Sequence, residues 1–437
     1  MAELAINGGN PVVKGGLRTR WPIFDETDKK ALLEVLESGH WGNLNLMIAG
    51  LNSMSRVARF EEEFARWNGS RHAVATDHGT SALVLALRAG GIKAGDEVIV
   101  PAATFAASAT AVLLVNALPV FVDIEPDTYQ MSPEATEAAI TDRTRAIMPV
   151  HYGGYPVNMD RILEIARRHE LLVVEDAAEA HGSEWRGKKV GGFGDLGCFS
   201  FQMGKPLTCG EGGMVLTDND ELLAKCSAYG DFGRRPQDTG IFTSTDSAFA
   251  QAAAWAGYVP YIPAGDCRLS EFLGALLSVQ LSRLDEQIAA RERNGTYLAA
   301  ELEHIDGLST LKQDSRVTKR SYYYYFLRFD ETAWNGVSRD RFMEALTAEG
   351  IPLSKGHNYP MYKYPLFHGL FAEKGCPFNC PLHERRIDYS KVSCPVAERV
   401  YRSEIIASNK NFLMERAHVD RVLEAIYKIK EHIGELA

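Results

Sequence analysis

Lys205 stands between Gly204 and Pro206 in the stretch Phe199–Gly213, FSFQMGKPLTCGEGG, after an apolar strand-like run and before a glycine-rich turn. A surface lysine belongs among other charges on a helix face, whereas here the backbone is tight and the neighbours are apolar. Desolvation disfavours the ammonium form, so a lysine in such a loop sheds its proton more easily. The neutral amine can attack a carbonyl carbon and form an imine. A second group comes from Leu172–Gly182, LVVEDAAEAHG, where Asp176 ends an apolar strand. Opposite a pyridinium nitrogen an aspartate keeps the ring protonated; its plainer role is a helix N-cap.

Two further segments follow strand-like runs. In Asp77–Leu83, DHGTSAL, residues Gly79, Thr80 and Ser81 open a helix. Free amides and the helix dipole there favour a phosphate, although capping alone favours the same composition. Pro101–Phe105, PAATF, sets the Phe105 ring just past a strand end, as a stacking surface or as core. An imine-forming lysine, an acid for a ring nitrogen, a phosphate cradle and an aromatic surface together suit one cofactor, pyridoxal phosphate. Trp41, Tyr359, His151 and Tyr152 are open to two readings, lining of an acceptor pocket or packing.

These groups must be held by elements that bring strand ends together. From residue 70 to residue 217 apolar strand candidates alternate with helical patterns. The strands are Ala73–Thr76, Glu97–Pro101, Pro119–Ile124, Ala146–His151, Leu171–Asp176, Cys198–Phe201 and Met214–Thr217. Helices are predicted over Ser81–Ala89, Ala106–Asn116, Pro133–Ile140 and Met159–His169. This alternation implies an α/β fold with a mostly parallel sheet covered on both faces, and ligands at the carboxyl ends of its strands. Leu269, Leu273, Leu276, Leu277, Leu281, Leu284 and Ile288 predict a long amphipathic helix toward a second domain. Beyond it come an aromatic strand over Ser321–Phe329, a helix near Arg339–Glu349 and a final helix, an α+β pattern. The expected division is an arm over residues 1–29, a large domain over 30–290 and a small one over 291–437.

Bulk properties narrow the partners. A chain of 437 residues with net charge −10 lacks the basic surface that nucleic acid or an anionic membrane requires. The start has no secretory pattern, and Ala103–Val122 is broken by Thr104, Ser108, Thr110, Asn116 and Pro119, so no span is expected. Seven scattered cysteines fit reduced thiols in a cytoplasm. Gly192–Gly197 matches GxGxxG but precedes a strand, which fails the dinucleotide context. Cys376, Cys380 and His383 lack a fourth partner at zinc-finger spacing, and no metal is expected. The sequons at Asn68 and Asn294 carry no meaning in a cytoplasmic chain.

The motifs resemble those of the DegT/DnrJ/EryC1/StrS aminotransferases, pyridoxal-phosphate enzymes of fold type I, the aspartate-aminotransferase fold. The match runs from about Ile6 to the C-terminal helix. Its most specific part, SF-x3-K-x4-GEGG, stands as Ser200-Phe201, Lys205 and Gly210–Gly213. The resemblance implies Lys205 as Schiff-base lysine, Ser200 with Gly79, Thr80 and Ser81 as phosphate ligands, Asp176 at the pyridine nitrogen and Phe105 over the ring. Gln202 and Cys394–Glu404 look closer to the aminocyclitol and 3-amino-5-hydroxybenzoate branch than to nucleotide-sugar enzymes. Two residues depart from the pattern. Glu179 replaces a glutamine or histidine near the cofactor's phenolic oxygen, and is expected to stay protonated there or to turn toward substrate. Asp266 replaces an asparagine that reaches the partner chain's phosphate, leaving Arg268 as a candidate donor or an ordinary salt-bridge partner.

The resemblance further implies transamination in two halves, with glutamine or glutamate as donor and a keto-cyclitol or keto-sugar as acceptor, in a homodimer. Three alternatives accompany it: dehydration or aromatisation of an aminocyclitol-like substrate on the same cofactor, amination of a nucleotide sugar, and a non-catalytic cofactor-binding regulatory or scaffold protein.

Overall fold

Short β-branched and aliphatic runs such as Glu97–Pro101 (EVIVP) and Leu172–Asp176 (LVVED) form the centre of the molecule. The computed structural model describes residues 3–42, 54–233, 260–356, 359–368, 377–378, 387–409 and 413–436. Strands β1 (His72–Thr76), β2 (Glu97–Pro101), β3 (Leu118–Val122), β4 (Thr144–Ile147) and β5 (Leu172–Asp176) precede two two-residue strands, β6 (Glu184–Trp185) and β7 (Lys188–Lys189). With β8 (Leu196–Ser200) and β9 (Gly213–Thr217), the first five make a seven-stranded sheet of order β1-β9-β8-β5-β4-β2-β3. The β3, β2, β4, β5 and β8 pairings are parallel; β9 runs against both β8 and β1. Two reversals leave β1 parallel to β8, so the carboxyl ends of β1, β2, β4, β5 and β8 share one edge.

Pleating sends alternate side chains to opposite faces. Val98, Val100, Ala146, Val174, Cys198 and Val215 pack under the helices Gly79–Ala89 and Ala107–Leu114. Ile99, Ile147 and Val173 meet Ile162 and Ile165 of the helix Met159–Arg168 on the other face. There Phe199, Met214 and Leu216 meet Phe60, Phe64, Leu277 and Leu284. Both faces are dry, which is why these strands read as continuous apolar runs.

The expected boundary near residue 290 falls inside one continuous helix, Glu271–Leu302. Its first half lies on the large sheet through Leu277, Leu284 and Ile288, and its end, Leu298 and Leu302, enters a second core with Tyr325, Phe342 and Val419. Arg291 is buried in the helix and donates to Gln287 Oε1 at 3.1 Å. Strands β10 (Leu308–Ser309), β12 (Tyr324–Phe329) and β13 (Ile405–Asn409) form an antiparallel sheet, and β11 (Val317–Lys319) pairs with β6. The predicted aromatic strand starts at Tyr324 instead of Ser321, because Tyr322 turns at φ 51° and the Ser321 hydroxyl is drawn to the Glu179 carbonyl. The N-terminal arm lies on this second core: Leu4 is inside it, and buried Glu349 accepts the Ala5 and Val12 amides while pairing with Lys428 Nζ at 2.8 Å. Among the described residues no helix is long and apolar enough to cross a membrane, and no cluster of metal-ligating side chains occurs. Cys376, Cys380 and His383 lie outside the described residues.

The glycine-rich turn that failed as a dinucleotide motif has a structural task. Glu175, fully buried, accepts the amides of Gly191, Phe193 and Gly194 at 2.7, 2.6 and 2.7 Å and the His151 Nε2–H at 3.0 Å. His151 Nδ1 accepts the Val157 amide at 3.0 Å, which assigns its proton to Nε2 and settles this residue as structural. Gly191 has φ 79°, and a Cβ there would lie 2.4 Å from the Phe199 ring. Burial pushes the Glu175 carboxyl up, but His151 and the amides outweigh it and hold it below the usual value. Glu175→Ala is therefore expected to cost about 3–5 kcal/mol in urea unfolding at pH 7. Because the folded state depresses this carboxyl, its contribution is present above the ordinary carboxylate value and is lost as pH falls toward the folded value. Wild type minus Glu175→Gln stability, followed from pH 7 to pH 3, reads that loss.

Candidate active site

Asp176 ends β5 and is buried at the shared strand edge. Its Oδ2 accepts the Ser108 hydroxyl at 2.8 Å and its Oδ1 the Ala178 amide at 3.2 Å. Ser108 belongs to the helix that follows β2, and Thr104 Oγ1 lies 3.2 Å from its hydroxyl. Phe105, three residues before Ser108, keeps its side chain 54% exposed. That exposure sets aside the core reading and puts an exposed ring three residues from the aspartate's support. Burial holds the Asp176 carboxyl above its usual value; Ser108, the Ala178 amide and the positive Lys205 pull it down, and Glu179 adds to the rise. Asp176 and Lys205 therefore sit within electrostatic reach of each other.

The lysine loop leaves β8 and folds on itself. Lys205 N donates to Gln202 O at 2.8 Å, Gly204 N to Gln202 Oε1 at 2.7 Å, and Met203 N to Gly210 O at 2.8 Å. From the arm, Trp21 Nε1 donates to Met203 O at 2.7 Å, tying the loop from outside. The expectation of mostly apolar surroundings is corrected at the amine itself. Lys205 Nζ, on a side chain 11% exposed, lies 3.4 Å from Glu179 Oε1 and 4.4 Å from the centre of the Tyr323 ring. Glu179 Oε2 accepts the Gly153 amide at 2.8 Å. Sequence spacing hid this pair because it closes only when the segment after β5 meets the loop after β8.

The helix Gly79–Ala89 opens at the same edge, with no side chain capping its first turn. A Cβ on Gly79 would lie 2.5 Å from Ser200 Cβ, so glycine lets the helix start touch the end of β8. Thr80 and Ser81 complete that turn, and the Ser200 hydroxyl accepts the Gln202 amide at 3.3 Å. The Asp266–Arg268 segment lies alongside, the Asp77 amide donating to Cys267 O at 2.8 Å. Arg268 is held by two carboxylates, Asp231 Oδ1 at 3.0 Å and Asp266 Oδ2 at 2.7 Å. The salt-bridge partners expected of Arg268 are thus present within the chain.

Tyrosines that sequence reasoning left unassigned close over Glu179. Tyr152 and Tyr401 meet hydroxyl to hydroxyl at 3.4 Å, and the Tyr323 and Tyr324 rings pack with centres 4.5 Å apart. Burial first, with the charge of Glu179 adding to it, pushes all four phenols up, so they stay neutral donors near pH 7. The aromatic run SYYYYF was the available signal, but a strand pattern cannot say which ring turns inward. Trp41 packs against Phe272 with the rings tilted at 51° and is 52% exposed, and Tyr359 is 61% exposed; among the described residues neither shares a hydrogen bond or ring contact with Lys205, Asp176 or Glu179. His357 and Asn358, next to Tyr359, lie outside the described residues.

The sequence profile of the DegT/DnrJ/EryC1/StrS aminotransferase family matches residues 23–427. The L-glutamine:2-deoxy-scyllo-inosose aminotransferase of Streptoalloteichus tenebrarius is 37% identical, over 99% of this chain and 99% of that protein. The L-glutamine:scyllo-inosose aminotransferase of Streptomyces griseus is 36% identical, over 100% of this chain and 99% of that protein. Among solved structures, 3-amino-5-hydroxybenzoic acid synthase matches with a TM-score of 0.79 at 31% identity, covering 96% of this chain and 100% of that one. S. venezuelae DesV in complex with a ketimine intermediate matches with a TM-score of 0.76 at 30% identity, covering 93% and 94%.

The Ser108 contact gives a direct test of the aspartate's environment. Ser108→Ala is expected to lower stability by about 1–3 kcal/mol at pH 7, because an ionised buried carboxylate loses a donor. The folded state already raises this carboxyl, and losing Ser108 raises it further. The deficit is therefore present while Asp176 is ionised and shrinks as pH falls below the folded value. Urea unfolding of both proteins at pH 7 and pH 4 checks it.

Proposed function

The chain belongs to the DegT/DnrJ/EryC1/StrS aminotransferase family, and from that premise we propose that it moves an amino group from L-glutamine to a keto-cyclitol. The family and its solved relatives are aminotransferases that use pyridoxal phosphate. The observation carrying the reading for this chain is the joint burial of Lys205 and Asp176 at one strand edge, electrostatically coupled, with an uncapped helix start and an exposed aromatic ring beside them. Those residues fit the cofactor's four demands.

In this reading Lys205 would hold the cofactor covalently, Asp176 would be the acid for its ring nitrogen and Phe105 would supply an aromatic surface. Gly79, Thr80, Ser81 and Ser200 hold the phosphate, with Asp266 and Arg268 ordering the adjoining segment. When bound, the cofactor supplies an electron sink that acidifies the α-C–H of the donor amine. With the cofactor bound, Lys205 Nζ would be the group placed to take up the α-proton and give it back, as base and then acid. The four neutral tyrosines give hydroxyl donors suited to a polyhydroxylated ring, and their walls limit water. The relatives' acceptors favour a cyclitol over a nucleotide sugar.

A homodimer accompanies this reading. Phe24, Leu33, Leu36, Trp41 and Met54 are exposed along one stretch of this chain, and a second copy covers them. Trp41 and Tyr359 then line the acceptor pocket in the assembly. A cytoplasmic location and a division into a large cofactor unit and a small unit after residue 290 complete it. The likeness to 3-amino-5-hydroxybenzoic acid synthase keeps dehydration in view, and that route consumes no stoichiometric donor.

The deciding experiment loads the protein with pyridoxal phosphate, adds L-glutamine and follows conversion to the pyridoxamine form. A keto-cyclitol is then added and its amination read by mass spectrometry. Absence of conversion with any amino donor would remove the reading, and product without donor consumption would shift it to dehydration. Lys205→Ala is expected to abolish borohydride-stable attachment. Asp176→Asn is expected to lose about 10²–10³-fold in turnover. The same variant, cofactor-free at pH 7, is expected to be at least as stable as wild type. Its raised carboxyl makes the ionised form a cost above the unfolded value, and asparagine lifts that cost.

A further inference from the structure

Glu179 has no task in the reading above, yet both of its carboxyl oxygens have a partner. Its Oε2 accepts the Gly153 amide at 2.8 Å, and its own carbonyl accepts the Ser321 hydroxyl at 2.9 Å. Gly153 has φ 67°, and a Cβ there would lie 2.2 Å from the Phe326 ring, so the position that offers this amide requires glycine. Glu179 Oε1 faces Lys205 Nζ at 3.4 Å, and its side chain is 6% exposed. The titratable groups around it are Lys205, Asp176 and the phenols of Tyr152, Tyr323, Tyr324 and Tyr401. Lys205 is the one cation paired with it among the described residues.

We propose that Glu179 is the proton acceptor of Lys205, storing the ammonium proton inside the site whenever the lysine nitrogen enters a C=N bond. This rests on the reading of Lys205 as the residue that binds an aldehyde cofactor. The lysine begins as an ammonium ion with three N–H bonds. As its nitrogen bonds to the aldehyde carbon, the aldehyde oxygen leaves as water with two of those protons, and the third passes to Glu179 Oε1. No oxidant or reductant is involved. Were that proton lost to solvent instead, a buried carboxylate would remain beside ionised Asp176 with no cation, a costly arrangement. With it, one charge pair becomes two neutral groups. Release of the lysine reverses the transfer and restores the ion pair. A glutamine here would keep the Gly153 bond but has nowhere to put the proton.

The test is an infrared difference spectrum of protein loaded with pyridoxal phosphate against cofactor-free protein. A carbonyl stretch of a protonated carboxylic acid is expected to appear on loading, to shift when glutamate is carboxyl-labelled with ¹³C, and to be lost in Glu179→Gln. Its absence from loaded wild type overturns the proposal. A band that ignores the glutamate label, or persists in Glu179→Gln, belongs to another carboxyl such as Asp176 and overturns it equally. The isotope arm decides the matter even where the variant loads poorly. Borohydride fixation to Lys205 is measured on the same samples. Fixation without the band defeats this inference alone, whereas failure of fixation defeats the reading of the site and this inference with it.

Discussion

Two acidic side chains and one lysine share a buried pocket, and the site depends on how their charges are balanced. Ionised carboxylates out of water are tolerated only where donors and cations meet them. Asp176 has Ser108, the Ala178 amide and the field of Lys205; Glu179 has the Gly153 amide and Lys205 itself. Lys205 is therefore a counter-charge shared by both carboxylates.

The sheet makes that sharing possible. The carboxyl ends of β1, β2, β5 and β8 lie on one edge, so segments far apart in sequence release their functional groups into one volume. Behind that edge Glu175 anchors the Gly191–Gly194 turn through three amides, holding the strand that ends in Asp176 against the strand that leads to Lys205. Glu175 and Asp176 are adjacent and oppositely directed, one into the scaffold and one into the site. Pleating alone produces that division of labour.

Support also arrives from the ends of the chain. Trp21 ties the lysine loop to the arm, and the arm is tied to the second core by Leu4 and Glu349. The helix Glu271–Leu302 spans both cores and stiffens their relation. The loop's geometry is thus set by contacts on several sides, the condition under which a site keeps its donors aimed without bound ligand.

Local physics wrote much of this in the sequence. Apolar runs alternating with amphipathic helices determined a doubly covered, mostly parallel sheet, because strands dry on both faces have no polar alternation to hide. The residue types at strand ends determined the chemistry: an isolated lysine between glycine and proline, an acid closing an apolar strand, and a glycine with hydroxyls opening a helix. Tertiary structure alone decided which neighbours those groups meet. Ser108 reads as one more small residue in an apolar helix until β2 and β5 are side by side. Glu179 reads as an anomaly until the loop after β8 brings Lys205 to it, and the tyrosine run cannot declare its inward rings. Long-range pairs of this kind follow from strand order and from glycine turns that admit close approach. Neither is encoded in the spacing of any single segment.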